Sequence, residues 1–426
     1  MNRAARRLVL AVVLLSSSKA AVAQFPQYIP PGSLGIPEVE ERQQLEKSLG
    51  NAPWRLGPIR LQPHLVLRDV GYVDNVFPSG RKVSDITATG GVGLKAYLPV
   101  GNKFTLAAHV LPEYVWWKRF TELSGWRHRS GLGAFAYFNR LSMELKYTNN
   151  DLLQYISHEF DGPGDITKDR LELNAEVEVG GSLAVFGGAS RAEWKYDDNG
   201  FDEAFPDKLV LLDRTEDIAR IGVKYKRQDG LQIGVGFEDT QVDFDTVRRD
   251  RSNEGTGYVV TVAHTGSHIG AAADLVYREI QETNGSQFND FKAWTGSGRV
   301  QYRSESRFGA SLFGNRQIVY SLAQGTSYFT DQRLGASFEM RMGWRTDLRA
   351  FVELGKDEYE PLAGNAQLRV DDFDTLGVEF QMKLRETSTF LAGVARTTYD
   401  SNVNRFDREL TTIRATINFG GGFLGW

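Results

Sequence analysis

Charged residues recur in step along the chain: Arg220, Lys224, Arg299, Arg303, Arg333, Glu339, Arg341, Asp347, Arg349, Glu353, Glu379, Lys383, Arg385 and Arg414. Many stand at even separations within short segments, which places them on one face of an extended chain. Charged side chains ringing enclosed water set the ion preference of a pore. The competing reading is a set of cross-strand salt bridges that fill a narrow or blocked lumen. Arginines outnumber carboxylates in this set, so an open lumen carries an expected weak preference for anions.

Other residues offer less chemistry. His264 and His268 bracket a turn, but no cysteine or paired carboxylate accompanies them to complete a zinc site. His109, His128 and His158 lie at no spacing that singles out a Ser/His or Asp/His set. No nucleophile elbow, P-loop or zinc-protease motif is present. Catalysis, a cofactor and a bound metal are therefore not expected. DDNGFDEAFPDK, residues 197–208, is acidic but lacks the ligand spacing of a calcium loop and reads as a solvated link. VRRDR, residues 247–251, reads as a plain basic loop, with lipopolysaccharide phosphates as its alternative contact.

The elements that must position these charges are strands. In residues 333–342, Leu334, Ala336, Phe338, Met340 and Met342 alternate with Arg333, Ser337, Glu339 and Arg341. After a short break, Leu348, Ala350, Val352 and Leu354 alternate with Asp347, Arg349 and Glu353. The same period of two runs through residues 170–179, 219–226 and 378–385, and it excludes helices there. Tight turns fall near 99–102, 139–140, 180–181, 228–230, 265–267, 304–306, 343–346 and 385–387. Longer polar links fall near 73–83, 120–126, 156–166, 197–212, 245–253, 283–288, 321–327, 360–371 and 400–406. Long and short connections in alternation imply an all-β, antiparallel barrel of about 18 strands, 16 being the alternative, with both termini on the short-turn side.

Which face of such a barrel is wet is not settled by composition. The chain has 426 residues, a net charge of −4, 24% charged residues and no cysteine, and its mean hydropathy of −0.35 is that of a soluble protein. A transmembrane barrel has the same average, because only one face of each strand is apolar. Near-neutral charge argues against nucleic acid as a partner. Three features favour lipid outside. Full charges of both signs sit in the middle of strands. Aromatics cluster at strand ends, with Trp116, Trp117, Trp126, Trp194, Tyr196, Tyr277, Phe288, Tyr320 and Tyr328 by the long links. Trp54, Tyr97, Phe138, Phe308 and Trp344 flank the short ones, and two such belts suit two membrane interfaces. The last alternating strand, TTIRATINF, is followed by GGGFLGW and so by an aromatic terminus.

The N-terminus carries Arg3, Arg6 and Arg7, an apolar run from Leu8 to Leu15, and Ala21-Val22-Ala23. This reads as a secretory signal peptide over residues 1–23. Residues 24–57 form a periplasmic linker and short helix, with Pro37 at the helix start, Glu38, Glu40 and Glu41 in its first turn and Gly50 at its stop. The segment reads as a tether, a lumen plug or a partner contact, and its composition favours the flexible tether. The barrel spans 58–419 and a tail covers 420–426.

GPIRLQPHLVLRDVGYVDNVF, followed by Ser84 and Asp85, resembles the opening of a family of outer-membrane β-barrel porins of Gram-negative bacteria. The resemblance rests on Tyr72, Asp74, Asn75, Val76, Phe77, Ser84 and Asp85 and covers about 40 residues. Some members are encoded beside exopolysaccharide genes, so the resemblance implies an outer-membrane barrel and, for some members, a role in polysaccharide secretion. The expected function is passive diffusion of ions or small hydrophilic solutes. The alternatives are an accessory to exopolysaccharide secretion, for which Phe135, Tyr137, Phe313 and Phe351 are candidate sugar platforms, or a closed structural barrel. Expected partners are outer-membrane lipid, lipopolysaccharide, the barrel assembly machinery and the solute or polysaccharide itself; homo-oligomerisation is left open.

Overall fold

The computed structural model describes residues 41–420, apart from 78–81, 157–158, 160–161, 198–207, 247–249, 284, 287, 305–306, 324, 362–368, 386 and 404–405. The leader 1–23, the linker up to residue 40, His158, most of both charged links and the aromatic terminus lie outside the described residues. Among the described residues one α-helix, α1 (Glu41–Asn51), precedes the strands.

Nineteen strands follow: β1 (Trp54–Leu56), β2 (Ile59–Val73), β3 (Asp85–Val100), β4 (Phe104–Trp117), β5 (Gly125–Tyr137), β6 (Leu141–Tyr155) and β7 (Pro163–Gly180). Next come β8 (Leu183–Asp197), β9 (Arg214–Lys226), β10 (Leu231–Phe244), β11 (Asn253–Thr265), β12 (Ile269–Glu282) and β13 (Phe291–Arg303). The last six are β14 (Phe308–Tyr320), β15 (Thr326–Arg341), β16 (Thr346–Pro361), β17 (Val370–Arg385), β18 (Ser388–Ser401) and β19 (Arg408–Phe419). Each strand from β2 onward pairs antiparallel with the next, and β19 pairs back onto β2. That last ladder closes an 18-stranded barrel with no free edge. β1 adds only a short hairpin on β2, through Gly57 at φ +60°.

The alternation answers which face is greasy. Leu334 is 66% exposed and pairs with Leu354 at 58%, while the inward Gly335 and Ser337 between the outward residues are buried. Phe338, Met342, Leu312 and Leu376 extend the same exposed apolar surface. So continuous an apolar exterior is stable only against lipid. Leu334→Arg should therefore destabilise the lipid-embedded barrel by about 3 kcal/mol, the cost of arginine near a bilayer midplane. Urea titration of unfolding in lipid vesicles measures it; a neutral effect contradicts lipid contact at this position.

The wall itself is close-packed. Phe313, Phe351 and Phe373 point inward directly opposite Gly335, Gly377 and Gly355. Each ring lies over its glycine so closely that an added Cβ would collide with it. Ring covers glycine backbone, a device that pins register.

Candidate functional site

The inward faces of the strands carry the charges, and the register decides how they meet. Arg220 on β9 pairs with Glu238 at 2.5 Å and with Asp274 at 3.0 Å, and Arg278 also pairs with Glu238 at 2.7 Å. Lys224 pairs with Glu176 at 2.6 Å. On the far wall Arg333 lies 2.8 Å from Asp331 and 3.4 Å from Glu353. Arg349 reaches Glu379 at 3.4 Å and Glu339 at 3.9 Å, Arg414 reaches Glu379 at 2.9 Å, and Arg341 reaches Asp347 at 3.4 Å. Arg299 and Arg303 are half-buried on β13, beside Glu339. Lys383 is half-buried near the end of β17, and Arg385 is exposed as its last residue. Most of the sequence-identified charges thus form cross-strand pairs that neutralise one another along the wall.

Sequence reasoning did not single out a second network on β2 to β5. Arg68 and Glu113 lie 2.6 Å apart, each 1% exposed, with Arg129 3.4 Å from Glu113. A bulge at Asp69 lets the consecutive residues Arg68 and Asp69 both be buried; the φ of Asp69 is +55°, a left-handed conformation that aspartate tolerates better than most residues. Truncating one member of such a pair strands the other charge.

The mouth at the long-link end is crossed by the β14–β15 tip. β13 pairs with β12 up to Phe291, but with β14 only as far as Gly296 opposite Arg316. β14 meanwhile stays with β15 up to Tyr320 opposite Tyr328. The two ladders part at Gly296, whose φ of +133° suits only glycine. Above that point β14 is parted from β13, and the β14–β15 tip, still paired with β16 as far as Thr326 opposite Pro361, leans inward over the mouth. Its Tyr328 ring packs 5.1 Å from Phe288 and 5.8 Å from Phe291, and Tyr320 packs 4.8 Å from Phe244 of β10.

The hairpin tip is held from the other side of the barrel. Glu159, in the β6–β7 link, accepts hydrogen bonds from Ser321 Oγ at 2.7 Å, Leu322 N–H at 2.7 Å and Ala323 N–H at 3.2 Å. Arg251, fully buried, donates to the carbonyls of Ser321 and of Leu211, the latter at 2.6 Å. Beneath them Leu209, Leu212 and Leu322 bury against Ile166 and Tyr196. The four-residue apolar run Leu209–Leu212 inside a polar link was the one sequence signal of this contact.

These contacts correct the aromatic belt. Trp116, Trp126 and Trp344 are 43%, 68% and 81% exposed on the outer surface or rim. Trp117 and Trp194 are not membrane-interface residues. Trp117 is 1% exposed and packs with Val73, Val115 and Leu153, because adjacent residues of a strand face opposite ways and Trp116 already takes the outer side. Trp194 faces inward, stacked on Tyr196, with the Lys168 ammonium 3.8 Å from its ring centroid. Tyr97, Tyr196, Phe288 and Tyr328 are likewise buried, and Tyr320 is half-buried against the cluster of Leu209, Leu212 and Leu322.

At the short-turn end α1 packs on the inner face of the wall and is not a free tether. Leu45, 3% exposed, packs on Tyr97, Ala107 and Phe135, with Leu49 and Tyr137 beside it. Arg60 donates to the Leu49 carbonyl at 2.8 Å and so satisfies one of the helix's last acceptors. The Arg42 guanidinium stands 5.3 Å from the Tyr137 ring. Burial, together with the neighbouring Lys383 ammonium, holds Lys47 below the ordinary lysine range. Among the described residues no group of histidines or carboxylates is arranged to hold a metal.

No protein-family model and no curated protein matches the chain. Among solved structures, the outer membrane protein OpdK of Pseudomonas aeruginosa aligns with a TM-score of 0.48 at 10% identity, over 84% of this chain and 98% of that one. OccAB4 of Acinetobacter baumannii gives 0.48 at 10% identity, over 84% and 97%. A bacterial polysaccharide outer membrane secretin gives 0.35 at 10% identity, over 85% and 99%. The ladder that closes β19 onto β2 agrees with the barrel that the sequence resemblance implies.

Proposed function

We propose that the chain is an outer-membrane channel for passive diffusion of ions or small hydrophilic solutes, exported by its leader and held at its outer mouth in a closed state. One observation carries this reading: a closed 18-stranded barrel whose inner face is lined by ion pairs rather than by a continuous apolar core. Barrels of this strand number are wide enough to enclose an aqueous path. Charges that face one another across such a path are hydrated and cost little, whereas a dry interior would make them expensive. Outer-membrane lipid and lipopolysaccharide would meet the apolar band and the belt of Trp116 and Trp126.

The polysaccharide reading needs sugar platforms. Phe135 is covered by Leu45 of α1, Tyr137 donates to Glu144 at 2.7 Å, and Phe313 and Phe351 lie over glycines on two separate strands. These rings form no continuous track, so diffusion of small solutes is the stronger reading. Liposome swelling with the refolded barrel tests it. Influx of small sugars and salts is the expected result, fastest in a variant with a loosened mouth. No influx from correctly folded wild type and loosened variant alike contradicts it.

A further inference from the structure

β13 and β14 part in mid-strand, yet each keeps its other neighbour. β13 stays paired with β12 up to Phe291, and β14 stays paired with β15 up to Tyr320. Their shared ladder ends at Gly296 opposite Arg316. Residues 291–295 of β13 and 317–320 of β14 therefore present facing edges with no ladder between them. Counting on in the same register sets Thr295 opposite Gln317, Trp294 opposite Ile318, Ala293 opposite Val319 and Lys292 opposite Tyr320. Each of these pairs matches in phase. Trp294 and Lys292 are exposed on the outer side, the side to which Ile318 and Tyr320 belong by parity. Thr295 and Ala293 face inward, as Gln317 and Val319 do by parity. A one-residue slip would reverse every side chain, so the register for closing the seam is already set. Closing it would add about four hydrogen bonds, because antiparallel pairs alternate between bonded and non-bonded.

The tip contacts compete with that ladder. Glu159 and Arg251 hold the backbone at Ser321 and Leu322, and Asn253 donates to the Tyr320 hydroxyl at 3.1 Å. Ala293 and Ile318 pack instead on Ile280, Phe288, Phe291 and Tyr328. Gly296 is the hinge, since its φ of +133° lets β13 turn from β14 while it stays with β12. Bare strand edges are costly beside lipid, so an edge freed from the tip contacts gains by pairing. We propose that the β13–β14 seam is a zipper gate. When the tip leaves Glu159 and Arg251, the ladder runs on from Gly296 and Arg316 to Lys292 and Tyr320 and draws the tip from the mouth into the wall. The gate rests on the channel reading for its effect on current, but its pairing can be measured without any current.

Paired cysteines in a chain that has none report the ladder directly. Ala293→Cys with Val319→Cys and Trp294→Cys with Ile318→Cys are consecutive pairs, so one of them is non-hydrogen-bonded and close enough for a disulfide. The full barrel in lipid vesicles is oxidised with copper phenanthroline, and linked peptides are read by mass spectrometry. With Glu159→Ala at least one pair should link roughly tenfold faster than with Glu159 in place, as a population shift toward the zipped seam requires. Lys292→Cys with Ile318→Cys, two residues out of register, should stay slow. Nitroxides on Lys292→Cys and Tyr320→Cys need no bond to form, and pulsed spin resonance should find them closer with Glu159→Ala. Neither linkage nor approach overturns the zipper, and so does equal linkage of the out-of-register pair. Linked in the otherwise wild-type barrel, an in-register pair should raise single-channel open probability several-fold, and reduction should reverse it. Current with an unchanged open probability overturns the gate; in-register linkage without any current keeps the zipper and refutes the channel.

Discussion

Glu159→Ala should turn a mostly silent barrel into one that conducts for most of the recording. The carboxylate is 6% exposed and accepts from Ser321 Oγ and from two backbone N–H groups at the tip of the inward-folded hairpin. It stands on the β6–β7 link, nearly half-way round the barrel from β14 and β15, so the contact spans the mouth. Hydrogen bonds to a charged acceptor contribute about 1.5–3 kcal/mol each, and three on one group are not additive. Taking about 3 kcal/mol for the set, the closed-to-open ratio should fall on the order of 100-fold. Glu159→Gln, which keeps one carbonyl acceptor, should lie between. Single-channel open probability in planar bilayers is the readout, with unit conductance unchanged. Open probability that stays at the wild-type value in both variants would remove the hairpin from gating.

The second large effect lies at the other end. Leu45→Glu combined with Leu49→Glu should release α1 from the lumen and raise unit conductance about twofold, since a helix roughly 10 Å across with its side chains occupies a large part of a porin-sized path. Leu45 is 3% exposed against Tyr97, Ala107 and Phe135, and its burial contributes about 2 kcal/mol. A carboxylate there would have no partner from the wall and would favour water. Conductance, together with the size of polyethylene glycol that still enters the pore, measures the effect. The barrel closes without the helix, so folding should survive. Unchanged conductance and an unchanged size limit would show that α1 does not restrict the path. The two effects separate cleanly, because the hairpin sets the time spent open and the helix sets the current while open.

Period two made the barrel legible because each strand buries only one face in protein or enclosed water. Leu334 to Met342 outward and Arg333 to Arg341 inward follow from alternation alone, and the turns at residues 101–103, 138–140 and 343–345 follow from their glycine and polar residues. What alternation does not report is a strand that parts from its neighbour. Ile318 and Tyr320 stand in the outward phase of β14, beyond Gly314 and Arg316 that interrupt its apolar run, yet above Gly296 that face turns onto Phe291 and Phe244. The departure depends on pairs that fail to form between β13 and β14, and in β14 the charge of Arg316 at an outward position, where the ladder ends, was its one local sign. Glu159 was invisible for a related reason: a single carboxylate in a polar link acquires its role only from a hairpin some 160 residues later. The docking of α1 was partly legible, since Leu45 and Leu49 stand one turn apart, but the receiving surface is built from three strands. Trp117 and Trp194 show the limit of reading aromatics by position near a strand end, where parity decides whether a ring meets lipid or protein.

The chain has no cysteine, so single cysteines placed from Arg333 to Met342 form a clean scan. In reconstituted Glu159→Ala vesicles, a membrane-impermeant thiol reagent should react at 333, 339 and 341, leaving aside Gly335 and Ser337, which are packed under the Phe313 ring and against Ser311. Fluorophores at 334, 336, 338, 340 and 342 should instead be quenched by nitroxides buried among the acyl chains. Two period-two patterns in opposite phase are the expected result; reagent reaching the Leu334 face, or nitroxide quenching on the Arg333 face, would mean that water and lipid have been assigned to the wrong sides.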